Sequence, residues 1–219
     1  MLPAMTKNCD TTWRGVAIIT GASSGIGAAI ARKLAPNAIG LIITARRGDK
    51  IKALAKELGD GVVPIVCDVT DKQSMLELGE IAVERFGQLD AIINNAGILP
   101  LASMARCHVE DWESVVDTNI KGVLYGIATA LPHMLSQKTG HIINISSGAG
   151  RKVFPGAAVY CGTKHAVHAI GEGLQLDLSE RSVKDGNTIK VTTIAPGLVV
   201  TDLPSSVIFE PAKEYFQDA

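Results

Sequence analysis

Tyr160 and Lys164 stand four residues apart at the head of a long segment rich in small residues. On a helix, side chains at that spacing project from one face, about a turn from each other. A phenol then meets an ammonium. The nearby positive charge favours the phenolate, so the tyrosine pKa is expected to move down from its ordinary value of about 10. A tyrosine tuned in this way can exchange a proton with an alcohol or ketone oxygen. Cys161, beside it, reads as a small packing residue on the same helix rather than as a nucleophile. A Tyr four residues before a Lys is common, so the weight of the pair depends on what the chain places around it.

The surrounding sequence alternates between short β-branched runs and longer stretches of helical spacing. Strands are expected at Val16 to Thr20, Leu41 to Thr44, Val62 to Val66, Ala91 to Asn94, His141 to Ile145 and Ile189 to Ala195. Helices are expected at Gly25 to Leu34, about Lys50 to Leu58, about Lys72 to Phe86, Asp111 to Leu135 and Ala157 to Leu178. Such alternation implies right-handed crossovers and a parallel sheet covered on both faces. The expected fold class is α/β: a doubly wound parallel sheet, three layers, a single domain. Its ligands belong beyond the strand carboxyl ends.

The chemistry-bearing residues fall on that rim. Thr20-Gly21-Ala22-Ser23-Ser24-Gly25-Ile26-Gly27 follows the first strand and opens a helix. Small residues let the backbone approach a pyrophosphate, and a helix amino terminus offers unpaired N–H groups with a favourable dipole. The spacing is G-x-x-x-G-x-G, distinct from the G-x-G-x-x-G fingerprint. At the second strand tip, where a carboxylate would bond a ribose 2′-OH, the chain has Arg46 and Arg47. Two guanidinium forks can pair with a 2′-phosphate, which favours NADP(H) over NAD(H); the alternative is a solvated basic pair. Asp68 can accept from an adenine amino group. Asn94, Asn95, Ala96 and Gly97 follow the fourth strand, where the amides can tie loops and the small residues leave room for a ribose. Asn119 lies inside a long apolar helix, as a structural amide or as a water site beside the chemistry. Ser146 and Ser147 end the fifth strand, and Pro196-Gly197 closes the sixth.

Composition excludes several classes. The 219 residues carry a formal net charge of -1, which gives no electrostatic reason to expect nucleic acid or an anionic membrane as partner. The apolar runs are too short to span a bilayer, and Met1 to Trp13 lacks a signal-peptide core. The four cysteines, Cys9, Cys67, Cys107 and Cys161, have no metal-ligand spacing, so no metal is expected and a cytoplasmic protein with reduced thiols is.

Together, Thr20 to Gly27, Asn94 to Gly97, Asn119, Ser147, Tyr160 with Lys164, and Pro196-Gly197 resemble, in order, the motifs of short-chain dehydrogenases/reductases. Tyr160 lies thirteen residues after Ser147, which also matches that family. The resemblance implies a Rossmann-fold NAD(P)-dependent oxidoreductase over residues 13–201, with an amino-terminal extension at 1–12. Tyr160 would be general acid in ketone reduction and base in alcohol oxidation. Lys164 would lower its pKa and bond the nicotinamide ribose; Ser147 would bond the substrate oxygen; Asn119 would hold a water in the proton relay. Gly21, Ser23, Ser24, Ile26 and Gly27 would cradle the pyrophosphate, with Asp68 and Val69 flanking the adenine. Asn95 would contact the adenosine-side ribose, with Ala96 and Gly97 beside it. Pro196, Gly197, Val199 and Thr201 would hold the nicotinamide end. Arg46 looks like the NADP-preferring branch.

Ser146 to Gly156 and Lys164 to Val167 look most like members acting on small 3-hydroxy acids such as serine. In that reading Arg151 would meet a substrate carboxylate, or is a surface arginine. Family members commonly continue beyond the Pro-Gly segment with a helix and a seventh strand. Here residues 202–219 resemble a partial substrate lid. Two long helices imply a homodimer or homotetramer. The leading expectation is a reductase or alcohol dehydrogenase of small carbonyl or alcohol substrates. The alternatives are a non-catalytic or truncated NADP-binding relative with a structural or sensing role, and, less well supported, a sugar-nucleotide epimerase.

Overall fold

All five residues of β1 (Val16–Thr20) are buried. A strand without polar alternation has to be covered on both faces, and this one is. In the computed structural model, which describes residues 13–197 and 199, six parallel strands run in the order β3-β2-β1-β4-β5-β6. The others are β2 (Gly40–Ala45), β3 (Val62–Val66), β4 (Ala91–Asn94), β5 (Thr139–Ile145) and β6 (Thr188–Ile194). Successive side chains serve opposite cores. Ile19, Ile43 and Ile93 pack with Ala28 of α1 (Gly25–Leu34) and Ile51 of α2 (Gly48–Leu58). Ile18, Ile92 and Ile142 pack with Met75 of α3 (Lys72–Phe86), Met134 of α5 (Gly122–Gln137) and Leu178 of α6 (Ala158–Asp185).

Pairing is in register from Ile19↔Ile93 to Asn94↔Asn144 and Ile145↔Ile194, so the carboxyl ends of neighbouring strands come level. The strand order reverses between β1 and β4, and there the loops from the two halves part to leave a crevice. This is the doubly wound, three-layered sheet expected from the periodicity.

One expected element comes out differently. The helix expected from Asp111 to Leu135 is α4 (Val109–Val116) and α5 joined through a π-helical turn, Asp117–Lys121. A π turn inserts one extra residue into an otherwise continuous helix and is frequent at functional sites. Asn119 sits in it, 1% exposed. The other ends shift slightly; α6 runs on to Asp185, where Gly186 at φ +68 stops it. Among the described residues no helix is long and apolar enough to cross a membrane. The expected extension at 1–12, the lid at 202–219 and Thr201 lie outside the described residues.

Candidate active site

The turn after β1 is built by close backbone approach. Gly21 has φ +66, and a Cβ there would lie 2.8 Å from Ala96 Cα. Asn95 donates through Nδ2 to Thr20 O (2.9 Å) and Gly21 O (3.3 Å), while its backbone N–H donates to Thr20 Oγ1 (3.0 Å). The loops after β1 and β4 are therefore stitched together, as the amide types suggested. Gly27 has a different task from its neighbours. A Cβ there would lie 2.6 Å from both Asn95 Nδ2 and Gly21 O, so its bareness lets α1 press against the turn.

The opening of α1 carries unanswered donors. Ser24, its N-cap, makes no side-chain cap bond, and the first turn has no acidic residue. Gly25 and Ile26, the first residues of that helix, line a cleft of about 770 Å³, which puts the positive end of the helix dipole at its wall. Arg47 reaches over the same turn, donating from Nε and Nη2 to Ser23 Oγ (3.0 and 2.8 Å) and from Nη2 to Ser24 Oγ (2.7 Å). Arg46 stands 3.9 Å from Asp68 Oδ2, while Asp68 Oδ1 accepts from Thr70 N (3.0 Å) and Oγ1 (2.9 Å). A left-handed glycine, open helix donors and two guanidinium groups are a donor set suited to a phosphate-bearing dinucleotide.

The other end of the cleft holds the titratable groups. Tyr160 is 6% exposed and Lys164, one turn on, 5% exposed. Lys164 Nζ donates to Ile145 O (3.0 Å) and lies 5.8 Å from the centre of the Tyr160 ring. Burial pulls its pKa from 10.5 down to about 8. The Tyr160 pKa moves up, because burial of the phenol outweighs its hydrogen bond with Ser147. That corrects the downward shift expected from the spacing. The ammonium is turned to a strand carbonyl, and the loss of water dominates at the phenol. Ser147 caps the short turn Gly148–Gly150, its Oγ accepting from Ala149 N (3.1 Å).

Asn119 is fully engaged behind the cleft. Its Oδ1 accepts from Ile98 N (2.9 Å), and its Nδ2 donates to Ile98 O (3.1 Å) and Thr163 Oγ1 (3.2 Å). The side chain mimics a strand partner for Ile98 and fixes the loop after β4 against α6. Gly97 lies between it and the amine: a Cβ there would be 3.3 Å from Asn119 Oδ1 and 3.5 Å from Lys164 Nζ.

Most of the residues singled out in the sequence come together on this cleft. Gly21, Ser23, Ser24 and Ile26 line it with Arg46, Arg47, Asp68 and Val69. So do Asn95, Ala96 and Gly97, then Ser147, Tyr160, Lys164, Pro196, Gly197 and Val199. Gly27 and Asn119 stand behind it, and Arg151 does not line it. Ile98, Leu99, Thr118, Ala149, Lys152 and Phe154 do, and sequence reasoning gave them no role. Thr118 belongs to the π turn and Ala149 to the short turn Gly148–Gly150, while the other four come from irregular loops, where no periodicity marks the inward side; only the proximity of Lys152 and Phe154 to Ser147 was visible. Among the described residues no group of three or more His, Cys, Asp or Glu could hold a metal ion.

A doubly wound sheet with a cleft of about 770 Å³ at its switch point and a Ser-Tyr-Lys group at one end defines a class of nucleotide-dependent oxidoreductases. Comparison with known proteins agrees. The short chain dehydrogenase family profile matches residues 15–209. An uncharacterized oxidoreductase of Staphylococcus saprophyticus is 44% identical over 200 residues, 91% of this chain and 80% of that protein. One from Listeria monocytogenes is 42% identical over 196 residues, 88% of this chain and 77% of that protein. Among solved structures, the closed form of serine dehydrogenase complexed with NADP+ is similar with a TM-score of 0.84 and 32% identity, covering 93% of this chain and 82% of that one. A short chain dehydrogenase/reductase from Burkholderia phymatum in complex with NAD has a TM-score of 0.83 and 30% identity, covering 88% of this chain and 68% of that one. The chain belongs to the short chain dehydrogenase family and is an oxidoreductase of that family.

Proposed function

We propose that this chain interconverts a secondary alcohol and its ketone or aldehyde, with NADP(H) in the cleft supplying or accepting the hydride. One observation carries the reading. Ser147, Tyr160 and Lys164 converge at the β5 side of a cleft whose β2 side carries Arg46 and Arg47. Three strand intervals separate β2 from β5, roughly 14 Å, a span suited to a dinucleotide rather than a mononucleotide.

Tyr160 donates its proton to the substrate oxygen in reduction and takes it back in oxidation. Ser147 Oγ, oriented by Ala149 N, holds that oxygen beside the phenol. Lys164 keeps one N–H on Ile145 O and has further donors for the nicotinamide-side ribose. The Asn119 amide is spent on Ile98 and Thr163, so a relay water is held by the main chain of the π turn. The Asn95 N–H is likewise engaged, which leaves its carbonyl for the adenosine-side ribose. Arg46 and Arg47 favour the 2′-phosphate of NADP, with Asp68 and Val69 at the adenine. The serine dehydrogenase among the neighbours supports 3-hydroxy acids as the substrate class. The three described cysteines are free, in keeping with a cytoplasmic protein.

The test is titration with NADPH and NADH, followed by absorbance change with small carbonyls and alcohols. NADPH is expected to bind more tightly and to be consumed. Tyr160→Phe should keep NADPH binding within about twofold and lower kcat by about 10²- to 10⁴-fold. Persisting turnover in that variant would remove Tyr160 as proton donor. Binding without turnover across the panel would point to a cofactor-binding relative instead.

A further inference from the structure

The wall of the cleft around Tyr160 is apolar. Leu99, Ala149 and Phe154 line it and pack with Tyr160 in one cluster. One charged side chain interrupts that wall beyond Lys164, and it is Lys152. The other charged residues lining the cleft, Arg46, Arg47 and Asp68, belong to the ends of β2 and β3, across the sheet. Among the described residues no carboxylate lines the Tyr160 end, and the Lys152 side chain has no hydrogen-bond or ion-pair partner. Arg151 does not line the cleft, and its charge bears on the imidazole of His168.

Lys152 is also tied to the reacting position. Its backbone N–H donates to Gly148 O (3.2 Å), and Gly150 N donates to Ser147 O (2.9 Å). Gly148 N in turn donates to Pro196 O (2.8 Å), which fixes the turn to the end of β6. The ammonium therefore travels only as far as its own stem, about 6 Å, from a backbone anchored to the Ser147 turn. An ammonium with no carboxylate beside it among the described residues, against an apolar wall, attracts anions and repels cations, and adds nothing for a neutral molecule.

We propose that Lys152 is the specificity-determining residue of this site, pairing with a carboxylate a few bonds from the reacting carbon. The substrates it selects are then small hydroxy acids and oxo acids with an otherwise apolar frame. The inference rests on the oxidoreductase reading above and moves the anion-recognising role from Arg151 to Lys152.

Racemic 3-hydroxybutanoate and its methyl ester, each with NADP+, test it in the wild type and in Lys152→Ala, Lys152→Glu and Lys152→Arg. The wild type should prefer the acid. Lys152→Ala should raise KM for the acid about tenfold with little change in kcat, and leave the ester within about twofold. Lys152→Glu should reverse the preference, and Lys152→Arg should restore it. Equal losses on acid and ester would mark a structural role in the Ser147 turn and overturn the proposal. So would wild-type turnover of both compounds that is indifferent to residue 152. Absence of turnover with either compound while other small alcohols or carbonyls are turned over would overturn this inference alone; absence of turnover across the whole panel, NADPH binding intact, would remove the reading of the function and this inference with it.

Discussion

Lys164 keeps a primary amine almost wholly out of water behind Tyr160, with Ile145 O as its protein acceptor. Burial of this group opposes folding while it is charged, and the pH dependence follows from that. The folded pKa, about 8, lies below the ordinary 10.5, so between those values the unfolded chain binds more protons than the folded one. Stability from this group therefore rises with pH across that window, and the full penalty, on the order of 3 kcal/mol, applies below pH 8. Tyr160 works the other way, because its raised pKa makes the folded state resist ionisation and lose stability above pH 10. Lys164→Met should accordingly melt at a higher temperature than the wild type at pH 7 and turn over poorly. Its thermal advantage should shrink as pH rises from 8 towards 10. An advantage that is absent at pH 7, or constant with pH, would mean the amine is not held at a depressed pKa. Arg46 and Arg47 make a separate prediction. Arg46→Ala with Arg47→Ala should weaken NADPH by about 10- to 100-fold and leave NADH nearly unchanged, as charge-assisted phosphate bonds are lost. Equal weakening of both would assign the effect to Arg47 holding Ser23 and Ser24 in the turn.

At the scale of elements, the glycine turn and the π turn show how far composition and spacing reach. Gly21 and Gly27 look alike in sequence, yet one is a left-handed residue lining the cleft and the other is a gap between α1 and the turn. Gly27→Ala puts a methyl 2.6 Å from backbone and amide atoms that cannot swing away. It should cost about 1–3 kcal/mol in denaturant unfolding and weaken NADPH and NADH alike, since it moves the helix donors that both share. An unchanged unfolding midpoint would show that α1 can shift freely. The strands were legible because each is a short β-branched run buried on at least one face, and β1, β3 and β4 match residue for residue. The π turn was not, because one inserted residue barely disturbs a 3.6-residue period. Only the polar Asn119 in an apolar helix hinted at it. The upward shift at Tyr160 was hidden for another reason: spacing reveals which charges are near but not how much water each loses.

Across the whole molecule, α6 presents a face that its own chain leaves open among the described residues. Gly162, Ala169, Leu176 and Val183 recur at seven-residue intervals, Leu176 63% and Val183 89% exposed. Cβ atoms added at Gly162 or Gly173 would meet nothing within 4 Å. On α5, Leu124 is 43% exposed. Small residues let helix backbones approach closely, and large apolar ones beside them gain by leaving water together. The expected homo-oligomer is therefore proposed to form by α5 and α6 of one copy meeting those of another across a twofold axis, the commonest closed symmetry. Such an assembly would stiffen the helix that carries Tyr160 and Lys164 from its outer side, linking association to the geometry of those two side chains. Sedimentation equilibrium should give at least twice the chain mass of 23.0 kDa. Leu176→Arg, which sets two guanidinium groups near each other at a twofold contact, should drive the mass towards the monomer. The same variant should lower turnover at micromolar concentration more than at tenfold higher concentration, where mass action restores the contact. A wild type that sediments as a monomer would remove the interface, and Leu176 would be an exposed apolar side chain with no partner in solution.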